Sequence, residues 1–424
     1  MSFLPTYYSK FDLVQIHINM KIAILTLGTR GDVQPYAVLG KALKDRGHEV
    51  VLSTARNFEG LINTYELDFV PVDADFQALL NSEEGNKIRH NPFLARKHLK
   101  KFVYPMLQDA LVKFYELAKQ SDKVLFHIKT MADNFSEKFP EKMIRTNVVP
   151  ASQPTSAFPN PVFSAFSLPS FLNRFTFKLT ELGLRMWKKP IQEFRKNMGL
   201  SLEFRKPDLM SIYGISELLL KKPDDFPHNS FFTGFWLDDS PVALRQDIVD
   251  FIENGALPLL ITFGSMPFGN NLDIPELINT LSKQLNIRII VVKGWGFSET
   301  EVLDKNPDIK VIDAAPYDKL FPLVKAVVHH GGIGTTASCL KAGKPFLTCP
   351  VLHPLGDQFF WGKIAYQKGV AVYPLPVKKL TPKKFVDSVR ALLTNETLSH
   401  NAVLIAQAMS MEDGIVEAIE IIEG

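Results

Sequence analysis

A chain of 424 residues exceeds what one ordinary hydrophobic core organises, so two domains of about 200 residues each are expected. Hydrophobic residues at 46% and charged residues at 22% fit a globular protein, and a net charge of +3 gives no reason to expect nucleic acid or a strongly acidic partner. Two cysteines, Cys339 and Cys349, rule out a disulfide framework or zinc site and suit a reducing, cytoplasmic setting, and no stretch reaches the ~18 apolar residues of a membrane span.

Residues 1–19 carry Lys10, Asp12 and several aromatics but lack the apolar region and cleavage site of a secretion signal, and they read as an extension ahead of Met20. Residues 21–27 (KIAILTL) form a strand-like run closed by Gly28, and a helical pattern then runs through Val38, Leu39, Ala42 and Leu43 to Gly47. Further strands are expected at 49–53, 69–72 and 123–128. Residues 92–119 are helical and basic around Arg96, Lys97, Lys100 and Lys101, the pattern of a solvated helix face. This alternation of strand and helix predicts an α/β domain over 20–235, with a parallel sheet covered on both faces. Within it, residues 149–169 are rich in Pro, Ser and Phe and read as an ordered, irregular loop of the kind that serves binding.

Residues 234–241 mark the boundary to a second alternating series, with strands at 259–263, 287–292, 310–312, 326–329 and 345–349, giving a second domain over 236–405. From Thr381 the pattern is helical with a break near Asp413 and Gly414. The last segment, 406–424, is expected to pack against either domain, including back on the first.

The sharpest constellation is HHGGIGTT, His329 to Thr336, between a strand and a helix. Its glycines let backbone approach a ligand, and the amides of the helix start favour an anion such as a diphosphate. His329 or His330 can add a donor, and Thr335 or Thr336 a hydroxyl or a cap. A second constellation, Gly28, Thr29, Arg30, Gly31 and Asp32, follows the first strand, at the sheet edge where ligands of α/β proteins sit. Asp32 there is either a proton acceptor or a helix cap, and the two roles are compatible. Gly264 with Ser265, and Asp357 with Gln358, recur at the equivalent edge of the second domain and offer donors and acceptors suited to sugar hydroxyls. Asp73 and Asp75 have the spacing of a metal-binding carboxylate pair, but with a helix terminus available for the phosphates no metal role is assigned to them.

These segments resemble the sterol, macrolide and antibiotic-aglycone glycosyltransferases of the UDP-glycosyltransferase superfamily. The resemblance rests on GTRGDVQP (28–35), TFGSMP (262–267), APYDKLFP (315–322), HHGGIGTT (329–336) and GDQFFW (356–361), in the family's order. It implies a GT-B fold, two Rossmann-like domains facing across a cleft, and inverting, metal-independent hexosyl transfer from a UDP-sugar, with glucose preferred, and no cofactor. Asp32 is similar to the family's base. His329, Gly332, Gly334 and Thr335 resemble its diphosphate cradle, with Gly31, Gly264 and His330 as additional contacts. Ser265 resembles the phosphate contact of the neighbouring loop, and Asp357 with Gln358 the pair that reads sugar hydroxyls. Plant-type relatives carry a tryptophan where this chain has Ala314 and a glutamate where it has Ala337. The expected acceptor is a lipophilic phenolic, macrolide-like or sterol-like molecule; the family's sterol signature is not evident around 158–166, which ranks another hydrophobic alcohol or phenol ahead of a sterol. Transfer to a lipid at a membrane surface with peripheral contact, a non-catalytic sugar-nucleotide binder and a dinucleotide oxidoreductase are the competing readings.

Overall fold

The computed structural model describes residues 19–73, 103–264, 273–293 and 301–424. In the first half, β1 (Lys21–Leu25), β2 (Glu49–Ala55), β3 (Asp68–Val72), β4 (Lys123–His127), β5 (Met143–Asn147), β6 (Ser211–Tyr213) and β7 (Ser230–Phe232) form a parallel sheet ordered β3-β2-β1-β4-β5-β6-β7. Its helices are α1 (Arg30–Asp45), α2 (Glu59–Thr64), α3 (Tyr104–Gln120), α4 (Asn173–Leu184) and α5 (Lys188–Asn197). The continuous apolar run of β1 follows from burial on both faces. Ile22 and Ile24 pack with Val33, Tyr36 and Leu39 of α1 on one face, while Ala23 and Leu25 pack with Leu107, Leu111 and Phe114 of α3 on the other.

The second half repeats the plan with β8 (Leu259–Thr262), β9 (Ile289–Val292), β10 (Ile309–Ile312), β11 (Ala326–His329), β12 (Phe346–Thr348) and β13 (Ala371–Val372), ordered β10-β9-β8-β11-β12-β13. Its helices are α6 (Gln246–Glu253), α7 (Ile274–Leu285), α8 (Glu301–Asp304), α9 (Tyr317–Leu320), α10 (Ile333–Lys341), α11 (Gln358–Gln367), α12 (Pro382–Thr394), α13 (Glu396–Met409) and α14 (Gly414–Glu423). Strand order reverses between β1 and β4 in one sheet and between β8 and β11 in the other. Parallel sheets bind ligands in the crevice outside such switch points, so the topology points to the segments after these four strands.

β5, β6, β7 and β13 were not anticipated from the sequence. They are short, and β5 to β7 bury polar residues: Arg145, Thr146, Asn147, Ser211 and Ser230. Three of them are partnered at long range, Arg145 donating to the Ser211 hydroxyl at 3.1 Å and the Ser230 hydroxyl to Gln153 Oε1 at 2.9 Å, whereas the Thr146 hydroxyl and Asn147 Oδ1 have no partner among the described residues. The Pro-rich loop reaches the second domain, where the Val162 carbonyl accepts from the Gly356 N–H at 3.2 Å and Phe158 lies 5.3 Å from Phe360. At the far end, α13 packs on α10, and the chain crosses back so that α14 packs on α1. Glu423 of α14 meets Arg46 at 3.3 Å and His48 at 3.0 Å. Gly414 sits so close to Gly234 that a Cβ there would lie 2.6 Å from the Gly234 carbonyl carbon. One buried apolar cluster therefore joins both halves, from Ile24 and Tyr36 to Phe360 and Ile419.

Candidate functional site

Asp32 lies in the first turn of α1, directly beyond β1, and is 6% exposed. Its Oδ2 accepts from the Thr29 N–H at 2.8 Å and the Thr29 hydroxyl at 3.0 Å, so one oxygen fastens the helix start. The other, Oδ1, accepts from Lys129 Nζ at 2.6 Å. Burial by itself would raise the Asp32 pKa, but the Lys129 charge, a smaller contribution from His127 and the hydrogen bonds outweigh it and hold the carboxyl below its ordinary value. Gly28 permits this arrangement: its φ is +143°, and a Cβ there would lie 2.3 Å from Asp32 Oδ2. Gly31, one residue before Asp32, is exposed in the same turn.

His127 ends β4, the strand next to β1 across the switch point, and Lys129 lies in the turn just after it. Sequence reading missed both, because they belong to no motif; their place after a buried strand was the available signal. His127 is fully buried, its Nδ1 has no partner among the described residues, and burial lowers its pKa to about 4, so it is neutral at pH 7.

In the second domain the chain turns sharply after β11. Gly331, at φ +93°, lies against the Gln358 carbonyl, and Gly332 is the N-cap of α10 with no side-chain cap, leaving the first-turn amides of Ile333, Gly334 and Thr335 open to an anion. The Thr336 hydroxyl instead donates back to the Gly332 carbonyl at 3.0 Å. The two histidines occupy different places. His329 is fully buried beside Phe346, and its Nδ1 accepts from the Gly331 N–H at 3.1 Å, which puts its proton on Nε2. The His330 ring lies between the two glycine turns. A Cβ on Gly332 would be 2.5 Å from its Nε2, and one on Gly264, at φ +61°, 3.0 Å from its Cε1. Burial lowers His330 to about 4 and His329 well below the usual range, so both rings are neutral donors at pH 7.

The third group stands at the start of α11. Gln358 Oε1 accepts from the N–H groups of Val351 and Leu352 at 2.8 and 2.9 Å, fixing the loop that follows β12. Asp357 is held by the Trp361 Nε1–H at 3.2 Å. Burial raises its pKa, with the Asp32 charge adding to this and Lys129 opposing it, so the carboxyls of the two domains lie within electrostatic reach of one lysine. Asp32, Lys129 and Asp357 therefore converge from two domains, beside the glycine cradle on the second sheet. Ser265, and Asp75 of the carboxylate pair, lie outside the described residues; Asp73 is taken up by Arg56 at 2.9 Å. Among the described residues no group of three or more His, Cys, Asp or Glu is arranged to hold a metal ion.

Comparison with known proteins matches residues 22–133 to the glycosyltransferase family 28 N-terminal domain and residues 284–423 to the erythromycin biosynthesis protein CIII-like C-terminal domain. A sterol 3-beta-glucosyltransferase of Arabidopsis thaliana is 30% identical over 95% of this chain and 67% of its own length. The chain spans about 30% of the length of the fungal sterol 3-beta-glucosyltransferases it also matches. The O-mycaminosyltylonolide 6-deoxyallosyltransferase of Streptomyces fradiae is 28% identical over 95% of this chain and 97% of that one. Among solved structures, the glycotransferase of kitacinnamycin superposes with a TM-score of 0.72 at 15% identity, covering 96% of this chain and 99% of that one. VinC in complex with DTDP superposes with a TM-score of 0.65 at 18% identity, covering 95% and 98%.

Proposed function

This chain belongs to the sterol and macrolide glycosyltransferases and has their GT-B fold, and on that premise we propose that it transfers a hexose from a UDP-sugar to a hydroxyl of a lipophilic small molecule. One observation carries the reading: a buried carboxylate at the switch point of one sheet and a bare helix N-terminus at that of the other are brought together by Lys129 and Asp357. Asp32 removes the acceptor's proton through Oδ1, while Oδ2 keeps the carboxylate in place. Attack from the first domain on a sugar held by the second displaces the diphosphate from the opposite face, which inverts the anomeric centre. The charge developing on the leaving group is taken up by the α10 amides and a neutral histidine donor, without a metal in the step. Of the two histidines, His330 stands at the glycines that approach the phosphates, and His329 braces the turn beneath them. Asp357, beside the start of α11, meets the sugar hydroxyls, and Gln358 positions that loop.

Glucose from UDP-glucose is the donor we favour, with TDP-sugars as the comparison. Sterols stand in the acceptor panel beside macrolides and phenols, supported by the plant relatives.

The test is mass spectrometry of products from wild type and Asp32→Asn with UDP-glucose, with and without chelator. A hexose adduct that resists chelation and falls by about 10²- to 10⁴-fold in the variant is expected. A chain that binds UDP but transfers to none of the panel, or a variant that transfers at the wild-type rate, overturns the reading.

A further inference from the structure

Beyond the cleft, the longest run of exposed apolar side chains spans residues 166–186. Phe171 is 80% exposed, Phe175 52%, Leu182 54% and Met186 46%. Phe171, Phe175, Leu179, Leu182 and Met186 recur every three or four residues through α4 and its flanking turns, so they form one stripe. The opposite side of α4 is seated through buried Asn173, Thr176 and Phe177, so the outward stripe is not a frayed core face. Lys178, Arg185, Lys188 and Lys189 border it, all exposed and none paired with a carboxylate among the described residues, whereas Arg174 is committed to Asp225 at 2.7 Å.

Apolar side chains with two aromatics on one side and unpaired cations beside them are the composition of a helix that lies in a lipid interface. The stripe also continues from the loop whose Val162 carbonyl meets Gly356, next to Asp357, so it leads from the surface toward the cleft.

We propose that this stripe docks the enzyme on a bilayer carrying anionic lipid. The apolar residues enter the acyl boundary and the lysines and arginine meet the headgroups. Docking itself stands apart from the transfer reaction; that a lipophilic acceptor reaches Asp32 from this bilayer rests on the reading above.

The experiment is flotation of the full chain with vesicles of phosphatidylcholine alone or with about 30% phosphatidylserine, without donor or acceptor. Two variants are compared: Phe171→Ser/Phe175→Ser/Leu182→Ser, and Lys178→Glu/Arg185→Glu/Lys188→Glu. All six positions are exposed, so unchanged thermal unfolding and unchanged transfer to a water-soluble acceptor are expected of both. Wild type is expected to float with the anionic vesicles, about tenfold less with neutral ones, and to be released by about 0.5 M salt. Each variant is expected to remain at the bottom. Wild type that does not float, floats equally on both vesicles, or floats no better than the variants overturns the proposal. A stripe-dependent dimer in vesicle-free solution without flotation does so too, by making a second copy the occupant.

Discussion

Lys129 holds one oxygen of Asp32 at 2.6 Å while Thr29 holds the other, so the carboxylate is fixed and charged before an acceptor arrives. Because its folded pKa is lowered, this ion pair contributes stability that is present above the carboxyl's ordinary range and is lost as pH falls through the folded value. In the proposed reaction the same sign governs activity: Asp32, as the base, stays ionised to lower pH than a free aspartate. In Lys129→Met, burial remains and the opposing charge is gone, so the acid limb of the kcat/KM profile moves upward, as a profile across the acid range would record. An unmoved limb would remove Asp32 as the titrating base. Gly28→Ala tests the same carboxylate sterically: a Cβ 2.3 Å from Oδ2 displaces it, and kcat is expected to fall at least about tenfold with UDP affinity retained. Asp32 and the glycines around it were legible in the sequence because each motif stands where a strand ends. Lys129 was not, since a lysine just after a buried strand becomes a usable signal only once that strand is placed beside β1. Burial and ring position likewise separate His329 from His330, which adjacent letters cannot do.

At the scale of elements, the strands read from sequence are those with both faces in apolar cores. β5 to β7 escaped because buried polar residues interrupt their apolar pattern, and partners such as Ser211 for Arg145 and Gln153 for Ser230 lie far along the chain, where a local pattern carries no trace of them. The start of α10 is the element on which the proposed donor binding depends. Gly332→Ala would drive a Cβ to 2.5 Å from the His330 Nε2, pushing the ring out of the cradle. UDP binding measured by calorimetry is expected to weaken about tenfold, or about 1.4 kcal/mol, with the far-UV helical signal unchanged. Equal affinity would show that the phosphates bind elsewhere.

At the scale of the molecule, α14 ties the end of the described chain to the first domain. It buries Ile419 at 3% and Ile422 at 0% exposure, and Glu423 reaches Arg46 and His48. Removing residues 414–424 is expected to cost about 3–6 kcal/mol from these two isoleucines alone, read as a lower denaturant midpoint. The loss should fall on the first domain, which hydrogen exchange would localise to α1. Protection lost chiefly around α10 would instead make α14 a part of the second domain's core.

The same return of α14 governs how the first and second domains of two relatives can be recombined. A single junction near residue 236 would leave α14 from one parent against α1 from the other, mismatching Gly414 on Gly234 and Glu423 on Arg46. A working hybrid needs a second junction in the turn between α13 and α14, so that the last helix travels with the first domain although it lies at the other end of the chain.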